Sequence, residues 1–214
     1  MSIERHPDVS TLLTCAAGSQ PEALCAVVAS HISICPGCFK TLREMQGVGE
    51  VLFDRLTPAF LSRPTPPLPT DEPQPNAVEQ SSETQHASEV PRTLRPFLGD
   101  SLDALRWAVV GRGIEQHVIA LSPGAKGDLR VLRLDRGASI PEHGHQGEEV
   151  SLVLRGACRD GHDTYFAGDF MDMDDEARHG LIADDETGCI LIVGSEHPLE
   201  FLTTCALKNP PEVV

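Results

Sequence analysis

The chain has 214 residues, 40% of them hydrophobic but only 4% aromatic, and 32 acidic against 17 basic side chains give a formal net charge of −15. That length suits two modest domains with aliphatic cores, and so acidic a surface, with no basic patch in the sequence, argues against direct nucleic-acid binding and for a basic protein partner. No apolar run is long enough to span a membrane, and Met1 to His6 lacks a signal layout, so a cytoplasmic chain is expected, with seven cysteines serving as ligands or packing rather than as a disulfide framework.

The first elements read as helices. Pro7 and Asp8 suit a first turn, Leu12, Leu13, Ala16 and Ala17 recur at helical spacing, and Gly18 ends the segment. A second helix starts at Ser19 to Pro21 and lines up Leu24, Val27, Val28 and Ile32 on one face. A third follows Pro36 and Gly37 and carries Phe39, Leu42, Met45, Val48, Leu52 and Leu56 as a strip. Such a strip serves equally as ordinary core or as a face that needs a partner. Prolines at 58, 64, 66, 67, 69, 73 and 75 and the polar stretch from Gln80 to Glu89 then exclude regular structure and mark a semi-extended linker. From Trp107 the apolar period changes to two. Segments 117–121, 129–134, 150–154 and 189–193 are short, aliphatic and bounded by turn residues, as in an antiparallel sandwich or barrel.

Two ligand spacings lie on this frame. His31, Cys35 and Cys38 stand four and three residues apart, so the end of one helix and the start of the next can bring an imidazole and two thiolates together, a donor mixture that zinc favours. The fourth ligand is open between His6, Cys15 and Cys25. A redox-active Cys35-Pro36-Gly37-Cys38 would need a strand leading into a helix, which the helical pattern does not offer. In the C-terminal half, His143 and His145 alternate along a strand, and Glu149 on the next strand can return to the same side.

The spacing His31-x3-Cys35-x2-Cys38 resembles that of zinc-binding anti-sigma factors, which implies a metal held by His6, His31, Cys35 and Cys38 and a following helix that packs into a sigma factor. Gly137-x5-His143-x-His145-x3-Glu149-x6-Gly156 matches the first cupin motif, and Gly168-Asp169-Phe170-Met171 begins a second half-motif whose histidine is His179. The second half-motif lacks the usual proline and second glycine. Three imidazoles and a carboxylate suit zinc or another divalent transition metal. His86, His117, His162 and His197 stand outside both patterns.

Taken in order, the whole chain resembles the ChrR class of zinc-dependent anti-sigma factors. The resemblance implies an α+β multidomain protein: a zinc-binding helical bundle at 1–63, a proline-rich linker at 64–95 and an all-β cupin barrel at 96–214. It further implies inhibition of an extracytoplasmic-function-type sigma factor in a 1:1 complex, with the cupin domain needed for release by singlet oxygen or related oxidants. Metal-dependent cupin enzymes, such as dioxygenases, isomerases and oxalate-degrading enzymes, are the competing class. A helical zinc unit on a proline tether has no task in such an enzyme, so no catalytic activity is expected.

Overall fold

The computed structural model describes residues 3–57 and 89–197, so most of the proline-rich segment and the last residues of the chain lie outside the described residues, as does His86. Three helices come first: α1 (Val9–Ala16), α2 (Glu22–Ile34) and α3 (Pro36–Asp54). Pro21 rather than Ser19 occupies the residue before α2. Cys35 is extended and serves both as the last residue beyond α2 and as the residue before α3, with Pro36 in the first turn where its missing N–H costs nothing. A short helix α4 (Arg95–Leu98) and a 3-10 turn (Leu102–Ala104) lead into nine strands among the described residues. Among the described residues no single helix is long and apolar enough to cross a membrane.

The strands are β1 (Ala108–Gly111), β2 (Ile114–Val118), β3 (Asp128–Leu134), β4 (Ser139–Gly144), β5 (Glu149–Asp160), β6 (Asp163–Phe166), β7 (Phe170–Met173), β8 (Arg178–Ala183) and β9 (Cys189–Ser195). Every pairing is antiparallel, in the order β1-β2-β3-β9-β5-β8-β4, with β6 and β7 also on β5. The long β5 makes the closure feasible. Its first half pairs with β7, its second half with β6 and β8, and a register shift between Val153 and Arg155 bends it from one sheet to the other. Gly156 sits at that bend with φ 74°, and a Cβ there would lie 2.1 Å from the Gly188 carbonyl oxygen. No side chain fits this crossing.

Period two explains how β9 can be apolar throughout. Cys189, Leu191 and Val193 point into the barrel with Ile114, Leu132, Val153, Met171 and Leu181, whereas Ile190 and Ile192 point outward. The outward face is covered by α2, whose Leu24, Val27 and Val28 are fully buried in one cluster with Val131, Leu152, Phe170 and Ile192. Residues with both faces buried read as an unbroken apolar run, as Cys189 to Val193 does. The approach is close. A Cβ on Gly194 would meet the Ala23 carbonyl oxygen at 2.4 Å. The apolar face of α2 is therefore mainly a helix-to-sheet contact.

The end of the expected linker also belongs to this core. Val90 and Leu94 are buried, and Glu89 accepts from Arg155 Nε at 2.7 Å.

Burying an aliphatic side chain as fully as Leu24 is worth about 1.5–3 kcal/mol by transfer alone. Leu24→Ala is expected to destabilise the protein by about 2–5 kcal/mol. Far-UV ellipticity, dominated by the helices, and fluorescence of the single tryptophan Trp107 beside the barrel should then shift together to lower temperature. A separate, earlier loss of helix with Trp107 unmoved would show that α2 is not part of the barrel's cooperative unit.

Candidate metal centres

Local structure brings the first cluster together at the meeting of three chain segments. His6 precedes α1, His31 lies in the last turn of α2, Cys35 joins α2 to α3, and Cys38 is in the first turn of α3. His6 Nδ1 is 3.5 Å from Cys35 Sγ, 3.5 Å from Cys38 Sγ and 3.4 Å from His31 Nε2. A tetrahedral zinc site, with arms of about 2.0 Å to nitrogen and 2.3 Å to sulfur, has ligand-to-ligand edges of about 3.3–3.8 Å. The observed edges match, so these residues fit such an ion. Of the three residues left open as fourth ligand, His6 stands in the cluster, and Cys15 and Cys25 do not.

The chemistry of these donors depends on the barrel. His31 is fully buried, and its Nδ1 lies 3.1 Å from the Gly168 carbonyl oxygen in the turn before β7. A carbonyl can only accept, so Nδ1 carries the proton and Nε2 presents its lone pair to the cluster. Burial, helped by the neighbouring His6, lowers the His31 pKa to about 4 and keeps the ring neutral at pH 7. Burial and the hydrogen bond with Cys35 push the Cys38 thiol up to about 12. A cation at this point would favour its thiolate.

The second cluster lies inside the barrel. His143 at the end of β4 pairs in register with His179 on β8, His145 follows β4, and Glu149 opens β5. Glu149 Oε2 is 3.2 Å from His145 Nδ1, and Oε1 is 3.6 Å from His179 Nε2. One donor atom from each of the four lies within 4.8 Å of the others. Burial works to raise the Glu149 pKa, but His145 and His179 reverse this and bring it to about 2, so the carboxylate stays ionised. His145 Nε2 is buried without a hydrogen-bond partner among the described residues, as an atom intended for a ligand would be. The outer contacts complete the fit for a divalent ion. Pro141 O accepts from His143 Nδ1 at 2.9 Å, and Asp160 Oδ2 is 3.3 Å from His179 Nδ1, which leaves both Nε2 atoms for the centre.

A seam of hydrogen bonds joins the two clusters. Asp169 Oδ1 accepts from Glu4 N at 2.8 Å and Arg5 N at 3.1 Å, and its Oδ2 accepts from Phe166 N at 2.9 Å. Phe170 N donates to Arg5 O at 3.1 Å, and Asp172 Oδ2 accepts from Thr11 Oγ1 at 2.6 Å and Asp8 N at 3.1 Å. Thus β7 and the turn before it hold the segment carrying His6 on one side, while Met173 of β7 pairs with Glu149 on the other. Gly168 and Asp169 stood in the sequence only as the start of a half-motif. Asp160 and Asp172 had no spacing signal, because their roles arise from pairings across the barrel. Among the outlying histidines, His117 Nδ1 lies 3.0 Å from Arg106 O on the exposed surface.

Comparison with known proteins bears on both halves. The ChrR Cupin-like domain family matches residues 100–198. The chain is 32% identical over 203 residues to the anti-sigma-E factor ChrR of Cereibacter sphaeroides, covering 94% of this chain and 93% of that protein. It also superposes on the crystal structure of Rhodobacter sphaeroides SigE in complex with the anti-sigma ChrR, with a TM-score of 0.73 and 30% identity over 91% of this chain and 100% of the matched one.

The geometry leads to a simple stoichiometry. Protein purified without chelators is expected to carry two divalent ions per chain by elemental analysis, falling to one in Cys38→Ser and to one in His145→Ala. A wild-type content of one, or a single substitution that empties both clusters, would contradict two independent centres.

Proposed function

The chain belongs to the ChrR family of anti-sigma factors, and from that membership we propose that it holds an extracytoplasmic-function-type sigma factor inactive in a 1:1 complex and releases it in response to singlet oxygen or related oxidants. It is a regulator rather than an enzyme. The proposed site of action is the cytoplasm, where sigma factors meet polymerase.

The observation that carries this reading is the bare apolar strip of α3 and its end. Val48, Val51, Leu52, Phe53 and Leu56 are exposed at helical spacing, with Phe53 at 75%. Contiguous apolar surface of this kind is uncommon on a chain that has no partner. Its neighbour Leu42 and Met45 turn inward and pack on the core, so the helix has one face for the fold and one for a second protein. The acidic balance of the chain complements the basic surfaces with which a sigma factor meets DNA and polymerase.

Zinc is the ion proposed for His6, His31, Cys35 and Cys38, and zinc or another divalent transition metal for His143, His145, Glu149 and His179. In the first cluster the ion would supply a cross-link between the start of the chain and the turn from α2 to α3. The chain's own residues orient that cross-link: Cys35 sets the angle of α3, and Gly168 fixes the His31 tautomer. The cupin barrel therefore has a physical hold on the inhibitory helices through Gly168, Asp169 and Asp172, and an altered Glu149 would reach them along β7.

Two results test the reading. Phe53→Glu is expected to weaken capture of the sigma factor by about 30-fold or more in a titration, consistent with loss of a buried aromatic anchor, while metal content stays at the wild-type level. Unchanged affinity would remove α3 from the interface. His143→Ala, His145→Ala, Glu149→Ala and His179→Ala should still repress transcription by purified polymerase and sigma factor, yet fail to release the sigma factor in oxidant-treated cells. Constitutive release in all four, with soluble protein, would instead make the cupin part of the inhibitory surface.

A further inference from the structure

Of the four donors in the first cluster, His6 is the one that its own stretch of chain does not place. His31, Cys35 and Cys38 are buried and carried by α2, α3 and the single residue between them, so the two helices fix their spacing. His6 is exposed and lies outside any helix or strand, in the segment before α1. Three hydrogen bonds tie the backbone of that segment to one turn of the barrel. Asp169 Oδ1 accepts from Glu4 N at 2.8 Å and from Arg5 N at 3.1 Å, and Arg5 O accepts from Phe170 N at 3.1 Å. Asp169 is 1% exposed, and its Oδ2 accepts from Phe166 N at 2.9 Å, which pins the carboxyl group to its own turn. Ile3 closes over the same turn, where a Cβ on Gly168 would lie 2.9 Å from Ile3 Cγ1. A further tie, the Arg5 guanidinium on Asp163 at 2.5 Å, joins two side chains that are about half exposed, so water and salt weaken it.

From this geometry we infer that Asp169 is a positioning residue for the first metal centre: from the barrel it holds the backbone of Glu4 and Arg5 so that the His6 ring stands at the fourth corner. The inference rests on the reading of His6, His31, Cys35 and Cys38 as a metal centre. A ligand on a free segment loses backbone freedom when it binds an ion, whereas one whose neighbours are already hydrogen-bonded has lost that freedom on folding. Asp169 forms no hydrogen bond with the four donors among the described residues, so its effect runs through the chain that carries His6. A residue that served only its own turn would need Phe166 N alone. Its second oxygen is instead given to a segment 165 positions away. The barrel thereby contributes to retention of the ion by the helices. A shift of the turn from Phe166 to Phe170 loosens the His6 corner, while Cys35 and Cys38 stay where α2 and α3 put them.

The test uses the full-length protein with cobalt(II) as the probe, because thiolate-to-cobalt charge-transfer bands arise at the centre that bears Cys35 and Cys38 and not at the imidazole and carboxylate centre in the barrel. In competition with a chelator, Asp169→Ala should hold cobalt at the sulfur-bearing centre about tenfold or more weaker than wild type, as is typical when a group behind a ligand is removed. That variant also takes the acceptor from Phe166 N, so Glu4→Pro supplies a second arm. It deletes one donor on the N-terminal segment without touching the barrel, and should weaken the same centre by about threefold or more with Trp107 melting at the wild-type temperature. Arg5→Ala keeps its backbone N–H and should stay within about twofold of wild type. In a His6→Ala background, Asp169→Ala should cost little more, since its route to the ion is gone. Wild-type affinity in Asp169→Ala or in Glu4→Pro, an Arg5→Ala loss as large as that of Asp169→Ala, or an equal Asp169→Ala loss with and without His6 would each overturn the assignment. A wild-type chain with no thiolate-to-cobalt band would remove the metal reading itself, and this inference with it.

Discussion

The burial of α2 against the outer face of the barrel is the contact on which the remaining geometry depends. Leu24, Val27 and Val28 are removed from water against strands β3, β5, β7 and β9, and Gly194 allows the helix backbone to approach where any side chain would collide with Ala23. Once α2 is docked, its last turn can point only at the loop before β7, and His31 reaches the Gly168 carbonyl. A helix held by a continuous apolar interface transmits a displacement of the sheet as a rigid body, since close-packed surfaces have little room to deform.

Both candidate metal centres follow one construction. Each has an imidazole whose Nδ1 is held by an oxygen atom outside the cluster, so that Nε2 faces inward: His31 on Gly168, His143 on Pro141 and His179 beside Asp160. The two centres differ in their remaining donors, thiols in the first and a carboxylate in the second, and therefore in the ions they favour. They share β7, one end of which pairs with Glu149 while the other carries the acceptors for the N-terminal segment. This shared strand is a short physical connection between the barrel and the N-terminal helices.

The acidic character of the chain and the exposed strip on α3 are two separate features open to a partner. In the proposed complex, net charge would act at long range and set which surfaces approach, whereas the exposed Val48, Leu52 and Phe53 would supply area to bury once contact is made. Within the chain Arg155 pairs with both Glu89 and Asp103. That pairing also anchors the end of the proline-rich segment to β5.

The sequence by itself determined what local chemistry dictates. The spacing of Leu24, Val27, Val28 and Ile32 meant a helix with one apolar face, alternation in 129–134 meant a strand, and the ligand spacings identified six of the eight clustered donors, with His179 supplied by the match to the second cupin half-motif and His6 as one of three alternatives and then by resemblance. These signals are legible because helix and strand periods, and the reach of a side chain within one turn, are properties of a few neighbouring residues. What α2 packs against was not legible, because an apolar face does not name its partner. Only the tertiary structure paired it with β9, brought Val90 and Leu94 out of an apparent linker into the core, and aimed Gly168, Asp169 and Asp172 at the N-terminal segment. Those contacts join residues up to 165 positions apart, and no local pattern encodes a meeting that only the folded sheet makes close.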